Sequence, residues 1–171
     1  MRARGLNGAV FGIVPLVCAS LFFGVELRSQ TASNKPVKIF AQKVVEDTVA
    51  AHPELAGLEI ATTPPNKTKC VTIAATEQKE IGGKCDKDEF TAMKTNQPFV
   101  EKEKEHGNEV YDVTVPIHDA GGKTIGTAGM DFKPKPQQEQ TTVVNQAQEI
   151  AKELESKIQS KERLFEPAST K

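Results

Sequence analysis

Tryptophan is absent from this 171-residue chain, tyrosine occurs once, and there are three histidines and three cysteines. The histidines, at 52, 106 and 118, show no zinc-ligand spacing, so a metal centre is not expected. There is no Cys-x-x-Cys-His haem attachment either. An excess of positive charge is also missing. Lys and Arg number 22 against 23 Asp and Glu, a net charge of −1, whereas a nucleic-acid binder carries basic residues to neutralise phosphates. No nucleophile, base and orienting residue can be assembled into a hydrolytic site. The chain therefore reads as non-enzymatic, without cofactor, metal or nucleic-acid partner. Its length allows one ordinary domain with tails and excludes a large two-domain enzyme.

What is present begins with an export signature. Arg2 and Arg4 precede an uncharged, apolar run from Gly5 to Val25, the arrangement of a secretory signal. The run is also long enough to span a bilayer, which takes about 18 residues or more. Pro15 and several glycines weaken such a helix, and the small residues Thr31, Ala32 and Ser33 follow it. Residues 1–33 are therefore a cleaved signal peptide or an N-terminal anchor, and either places the remainder in the periplasm or outside the cell. Leu16-Val17-Cys18 lacks the small residue expected before a lipidated cysteine. Beyond Cys18, Cys70 and Cys85 remain as an even pair in an oxidising compartment. They form a disulfide or two unpaired thiols, and the compartment favours the disulfide.

Asn34-Lys35-Pro36 reads as a helix start, since Asn caps free amides and Pro fits a first turn. Val37, Phe40, Ala41, Val44, Val45, Thr48 and Val49 then recur at helical spacing, and His52-Pro53 stops the helix. Leu58, Ile60 and Thr62 alternate, as do Val71, Ile73 and Ala75, predicting two adjacent antiparallel strands. Asp86 with Glu89 resembles a capping box opening a short helix to about Lys94, with Phe90 and Met93 expected to point inward. Residues 97–101 suggest an edge strand because of Pro98. The alternating charges of 101–105, before His106-Gly107-Asn108, read as a solvated hairpin tip.

The two clearest strands are 109–118 and 123–132, joined by Asp119-Ala120-Gly121-Gly122. With His118 opposite Lys123, Tyr111 pairs with Met130, Val113 with Ala128 and Val115 with Gly126, an apolar face. On the other face Val110 meets Asp131, Asp112 meets Gly129, Thr114 meets Thr127 and Pro116 meets Ile125. A one-residue slip would mix the two sets, so the segregation supports this pairing. Lys133-Pro134-Lys135-Pro136 breaks the chain before a helix expected over 140–164, with Val143, Ala147, Ile150, Leu154 and Ile158 as its narrow stripe. That stripe suits either a coiled-coil partner or a seat on the sheet.

Residues 37–133 resemble the Cache superfamily of extracellular sensor domains, in its single-Cache, PAS-like form. The resemblance is carried by Ile81-Gly82-Gly83-Lys84 ahead of Asp86-Lys87-Asp88-Glu89-Phe90, then residues 94–101, and by the Val113–Asp119, Gly122–Gly126 and Gly129–Phe132 segments. It implies an α+β fold: a five-stranded antiparallel sheet with a long N-terminal helix on one face, a ligand pocket on the other, and here a C-terminal helical extension. The domains are then 1–33 as signal or anchor, 34–133 as the sensor domain, and 134–171 as a Pro-containing linker and helix. In relatives that bind amino acids, the Asp matching Asp131 accepts the ligand amine. This sequence departs from them in having no Arg between Arg28 and Arg163, and Lys offers only a point charge in place of a bidentate carboxylate clamp.

The expected ligand-binding residues are Asp131, Asp112, Thr114, Thr127 and Tyr111. The middle three are equally compatible with an uncovered, solvated sheet, and Tyr111 with a place under the first helix. The resulting expectation is an exported sensor for a small polar ligand, an organic acid or an amine, without its own output module and signalling through a partner. The alternative is a non-catalytic structural or dimerisation module of the cell envelope. In both, the C-terminal helix is the surface for a second copy or an envelope partner.

Overall fold

The computed structural model describes residues 37–105, 108–135 and 139–169. The signal or anchor at 1–33, the helix start at Asn34-Lys35-Pro36 and the turn residues His106-Gly107 lie outside the described residues. Five strands form one antiparallel sheet: β1 (Leu55–Thr62), β2 (Val71–Ala75), β3 (Phe99–Glu105), β4 (Asn108–His118) and β5 (Thr124–Phe132). Their spatial order is β2-β1-β5-β4-β3. The helices are α1 (Phe40–Ala51), α2 (Lys87–Thr95) and α3 (Gln140–Ile158). Short 3-10 turns cover Gln78–Glu80 and Glu162–Phe165.

Alternation sorts the sheet into two chemistries, because successive side chains leave a strand on opposite faces. Leu58 and Ile60 from β1, Val113, Val115 and Ile117 from β4, and Ala128, Met130 and Phe132 from β5 join one buried core. That core also takes Ala41, Val44 and Val45 of α1 and the whole stripe Val143, Ala147, Ile150, Leu154 and Ile158 of α3. The stripe of α3 is thus spent on the sheet of its own chain rather than on a second helix. The layer expected from one long N-terminal helix is shared between a 12-residue α1 and a 19-residue α3.

α1 begins later than Asn34-Lys35-Pro36 predicts. Ile39 bridges to Pro167, the Phe40 amide donates to the Glu166 carbonyl (2.7 Å), and the chain turns helical only beyond that bridge. Val37, assigned to the stripe, is consequently 70% exposed. Gln42 takes a buried place instead, its amide bonding both ways to the Ala75 backbone (3.0 and 3.2 Å) and satisfying the edge of β2. At the other end Gln159, at φ +59°, ends α3 short of 164. The chain then folds back so that Leu164 enters the core.

The β4–β5 pairing differs from the expected register by two residues. Tyr111 faces Phe132, Val113 faces Met130 and Val115 faces Ala128, while Asp112 faces Asp131, Thr114 faces Gly129 and Pro116 faces Thr127. One residue comes from the turn, where Asp119 rather than His118 closes on Lys123 (N–H to O 2.9 Å) and Gly122 takes φ +79°. The other comes from an irregularity between Ile117 and His118 that leaves Ile125 without an opposite number. Two single shifts add to an even number, so each side chain keeps its face. β3 also runs further than expected: the charged stretch 101–105 pairs along β4 as an edge strand.

Two histidines fasten α3. His52 lies between Glu54 (3.2 Å) and Glu153 of α3 (3.1 Å). Burial opposes its charge, yet the hydrogen bonds and charges of Glu153 and Glu54 together raise its pKa. His118 joins Glu155 of α3 (2.6 Å) to Asn96 at the end of α2 (2.6 Å), linking the helices of the two faces around the end of the sheet.

Candidate functional site

On the face opposite α1 and α3, the sheet carries Glu59, Asp112 and Asp131, and the segment from Gln78 to α2 folds over them. That segment is anchored at several points. Lys84 bridges to Val71, the Thr72 amide donates to Gly83 (3.0 Å), and Gly82 donates back to Thr72 (2.9 Å). Cys85 is joined to Cys70 by a disulfide. Closing a loop of 15 residues should stabilise the fold by about 3 kcal/mol. Replacing both cysteines by serine is expected to lower the unfolding free energy by that amount in a denaturant titration, with a lower midpoint and a slope that rises as the unfolded chain expands.

α2 then starts at a capping box. The Asp86 side chain accepts from the Asp88 amide (3.0 Å), and the Glu89 carboxylate accepts from the Asp86 amide (2.8 Å). Its fully buried residues are Glu89 and Ala92. Met93 turns inward as expected, half-buried against the Cys70–Cys85 cluster, whereas Phe90 is 54% exposed. The capping box decides this, since the reach back to Asp86 turns Glu89 towards the sheet.

The result is a pocket of about 300 Å³ lined by six carboxylates, Glu59, Glu80, Asp86, Glu89, Asp112 and Asp131, with Lys84 as the one cation among its lining residues. Asp112 and Asp131 face each other across β4 and β5. Gly57, opposite Asp131 on β1, leaves space for that carboxylate, because a β-carbon there would collide with it. Gly129 does the same for Glu59, whose side chain would come within 3.1 Å of an added β-carbon. Burial raises the Glu59 pKa, repulsion from Glu89 adds to it, and together they push it up to about 7. The Thr72 hydroxyl, donating to Glu59 at 3.2 Å, works the other way. Burial, and the side chain of Asp86 after it, raise the Glu89 pKa as well. Among the described residues, no three His, Cys, Asp or Glu side chains converge so as to hold a metal ion.

Of the residues expected from sequence, Asp112 and Asp131 meet in this pocket. Thr114 and Thr127 share its face but are buried, 3% and 0% exposed, and lie outside the pocket lining. Tyr111 lies on the other face, half-buried against the main core. Glu59 and Glu89 are the additions. Glu59 sits between the inward-facing Leu58 and Ile60, a position that alternation alone assigns to the pocket face. Glu89 was visible as the third member of the capping box, but its approach to Glu59 depends on where the loop is anchored.

No family model and no curated protein matches the sequence. Solved structures do. The type II free methionine-R-sulfoxide reductase of Thermoplasma acidophilum is similar at a TM-score of 0.50 and 13% identity, over 73% of this chain and 92% of the reductase. The sensor domain of Escherichia coli DcuS matches at 0.40 and 17% identity, over 63% of this chain and 71% of that domain. The GAF domain of a two-component sensor histidine kinase from Bacillus halodurans matches at 0.46 and 9% identity, over 67% and 90%. At these identities the likeness is one of fold alone, an α+β arrangement about a five-stranded antiparallel sheet.

Proposed function

We propose that this chain is an exported sensing domain of the single-Cache kind, and that its acidic pocket takes up a small, amine-bearing ligand. The pocket's charge carries the reading: six carboxylates to one lysine in about 300 Å³. A concave, partly desolvated site of one sign concentrates ions of the other sign. An organic acid, the other ligand class compatible with the sequence, would meet repulsion there and no arginine to clamp it. Ammonium groups donate several hydrogen bonds without demanding metal-like convergence of oxygens, which suits carboxylates spread over two strands, a loop and a helix. The disulfide supports an oxidising compartment. Signalling would pass to a partner through an outer surface of the domain, since the apolar side of α3 is committed to the core.

Calorimetry at pH 8 with mono- and diamines, and with succinate as the opposite charge, tests the reading. Saturable binding of an amine, weakened at least tenfold by Asp131→Asn and by Asp112→Asn, is the expected result. Binding of succinate alone, or amine binding indifferent to both substitutions, would remove it.

A further inference from the structure

A second concavity lies on the other side of Lys84, around the disulfide. It measures about 630 Å³, within the range of small-molecule sites. Its chemistry is the reverse of the acidic pocket. The floor is the buried Cys70–Cys85 disulfide with Met93 beside it, backed by Ala61 in the same small apolar cluster. Phe90, among the few large apolar side chains exposed to solvent, forms one wall. Lys69, Lys84 and Lys94 stand around it, and no Asp or Glu is among the lining residues.

An apolar hollow ringed by ammonium groups matches a molecule with an apolar body and an anionic head. We propose that this groove is a binding site for amphipathic monocarboxylates, with the aliphatic or aromatic body against Phe90, Met93 and the disulfide and the carboxylate at the lysines. Lysine suits this role better than it would suit a buried clamp: a solvated, mobile point charge tolerates heads at several positions, so selectivity comes from body length and charge sign. The groove is concave and lined from three elements, which favours a free solute over a bilayer, for which a protruding apolar surface is needed. Lys84 borders both concavities, so the two sites are neighbours of opposite sign that select different ligands.

The test is a two-dimensional amide NMR titration of the full chain with sodium decanoate below its micellar concentration, alongside decyltrimethylammonium and sodium acetate. The expected result is a saturable shift at residues 69–70, 84–85 and 90–94 with decanoate, and none of that pattern with the cationic amphiphile or acetate. Phe90→Ser should weaken the response about tenfold, as loss of a buried phenyl contact does. Lys69→Glu with Lys94→Glu should abolish it. Both sets of changes are at exposed positions, and their unchanged peak dispersion verifies folding. Asp131→Asn should leave decanoate binding intact, so failure of the acidic pocket as an amine site would be seen separately. Equal response to both amphiphiles, a shift centred on Glu59 and Asp131, or flotation with phosphatidylglycerol vesicles in the absence of a saturable decanoate response would each overturn the proposal.

Discussion

A chain ending at residue 137 should not fold. Truncation there strips Val143, Ala147, Leu154, Ile158 and Leu164 from the core, all fully buried. It leaves Val113, Val115, Ile117 and their neighbours on β4 facing water. Each buried Leu or Ile cut back to Ala costs about 2–5 kcal/mol, and a domain of this size has only about 5–15 kcal/mol in total. Loss of three such side chains, about 6–15 kcal/mol, already matches the whole margin, and the truncation removes more than three. The expected observation is a circular-dichroism melt without a cooperative transition. Leu154→Ala in the full chain, by contrast, should still unfold cooperatively with its free energy lowered by about 2–5 kcal/mol. A cooperative melt of the truncated chain would show α3 to be an accessory. This changes the meaning of the C-terminal segment. Read from sequence as a linker and a helix suited either to a partner or to a seat on the sheet, it is one of the two helices that close the core, and deleting it does not isolate a sensor from a dimerisation element.

The second large effect concerns Glu59. Its carboxyl has a pKa near 7 in the folded state against about 4.5 ordinarily. Between those values the folded chain holds more protons than the unfolded one, so stability falls as pH rises from about 4.5 to about 7 and the cost is complete above 7. The groups around Glu59 set this: Glu89 from α2 and Glu80 from the 3-10 turn oppose its ionisation, and only the Thr72 hydroxyl from β2 among the named causes favours it. Glu59→Gln should accordingly raise the unfolding free energy at pH 8 by on the order of 2 kcal/mol, and leave it nearly unchanged at pH 4.5. A substitution that destabilises equally at both pH values would mean that the carboxyl is not held protonated.

The same charge governs the ligand. An ammonium group beside Glu59 favours its ionised form, so amine binding should release a proton and tighten between pH 6 and pH 8. Calorimetry in two buffers of different ionisation enthalpy measures the proton directly. Uptake instead of release, or affinity that does not vary over that interval, would place the ligand away from Glu59.

Much of the scaffold could be read one residue at a time. The alternation of Leu58 and Ile60, of Val113 and Val115, and of Ala128 and Met130 assigns faces, and a period of two survives any even change of register. That is why a pairing wrong by two residues still segregated the sheet. The capping box at Asp86 and Glu89 was equally local, and so was the pair of cysteines left once Cys18 is set aside.

Local pattern could not say what covers each face. Whether α3 meets a second helix or its own sheet depends on the free energy of burying its stripe against β4, a term with no signature in the helix itself. The start of α1 was set by Ile39 meeting Pro167, and the outward turn of Phe90 by Glu89 reaching back to its cap. Thr114 and Thr127 share a face with Asp112 and Asp131, yet the first pair is buried and the second pair lines the pocket. The sequence by itself determined which side chains share a surface, because strand and helix periods are properties of the backbone. Only the tertiary structure decided which of those surfaces stay open to a ligand, because that depends on distant segments competing to bury them.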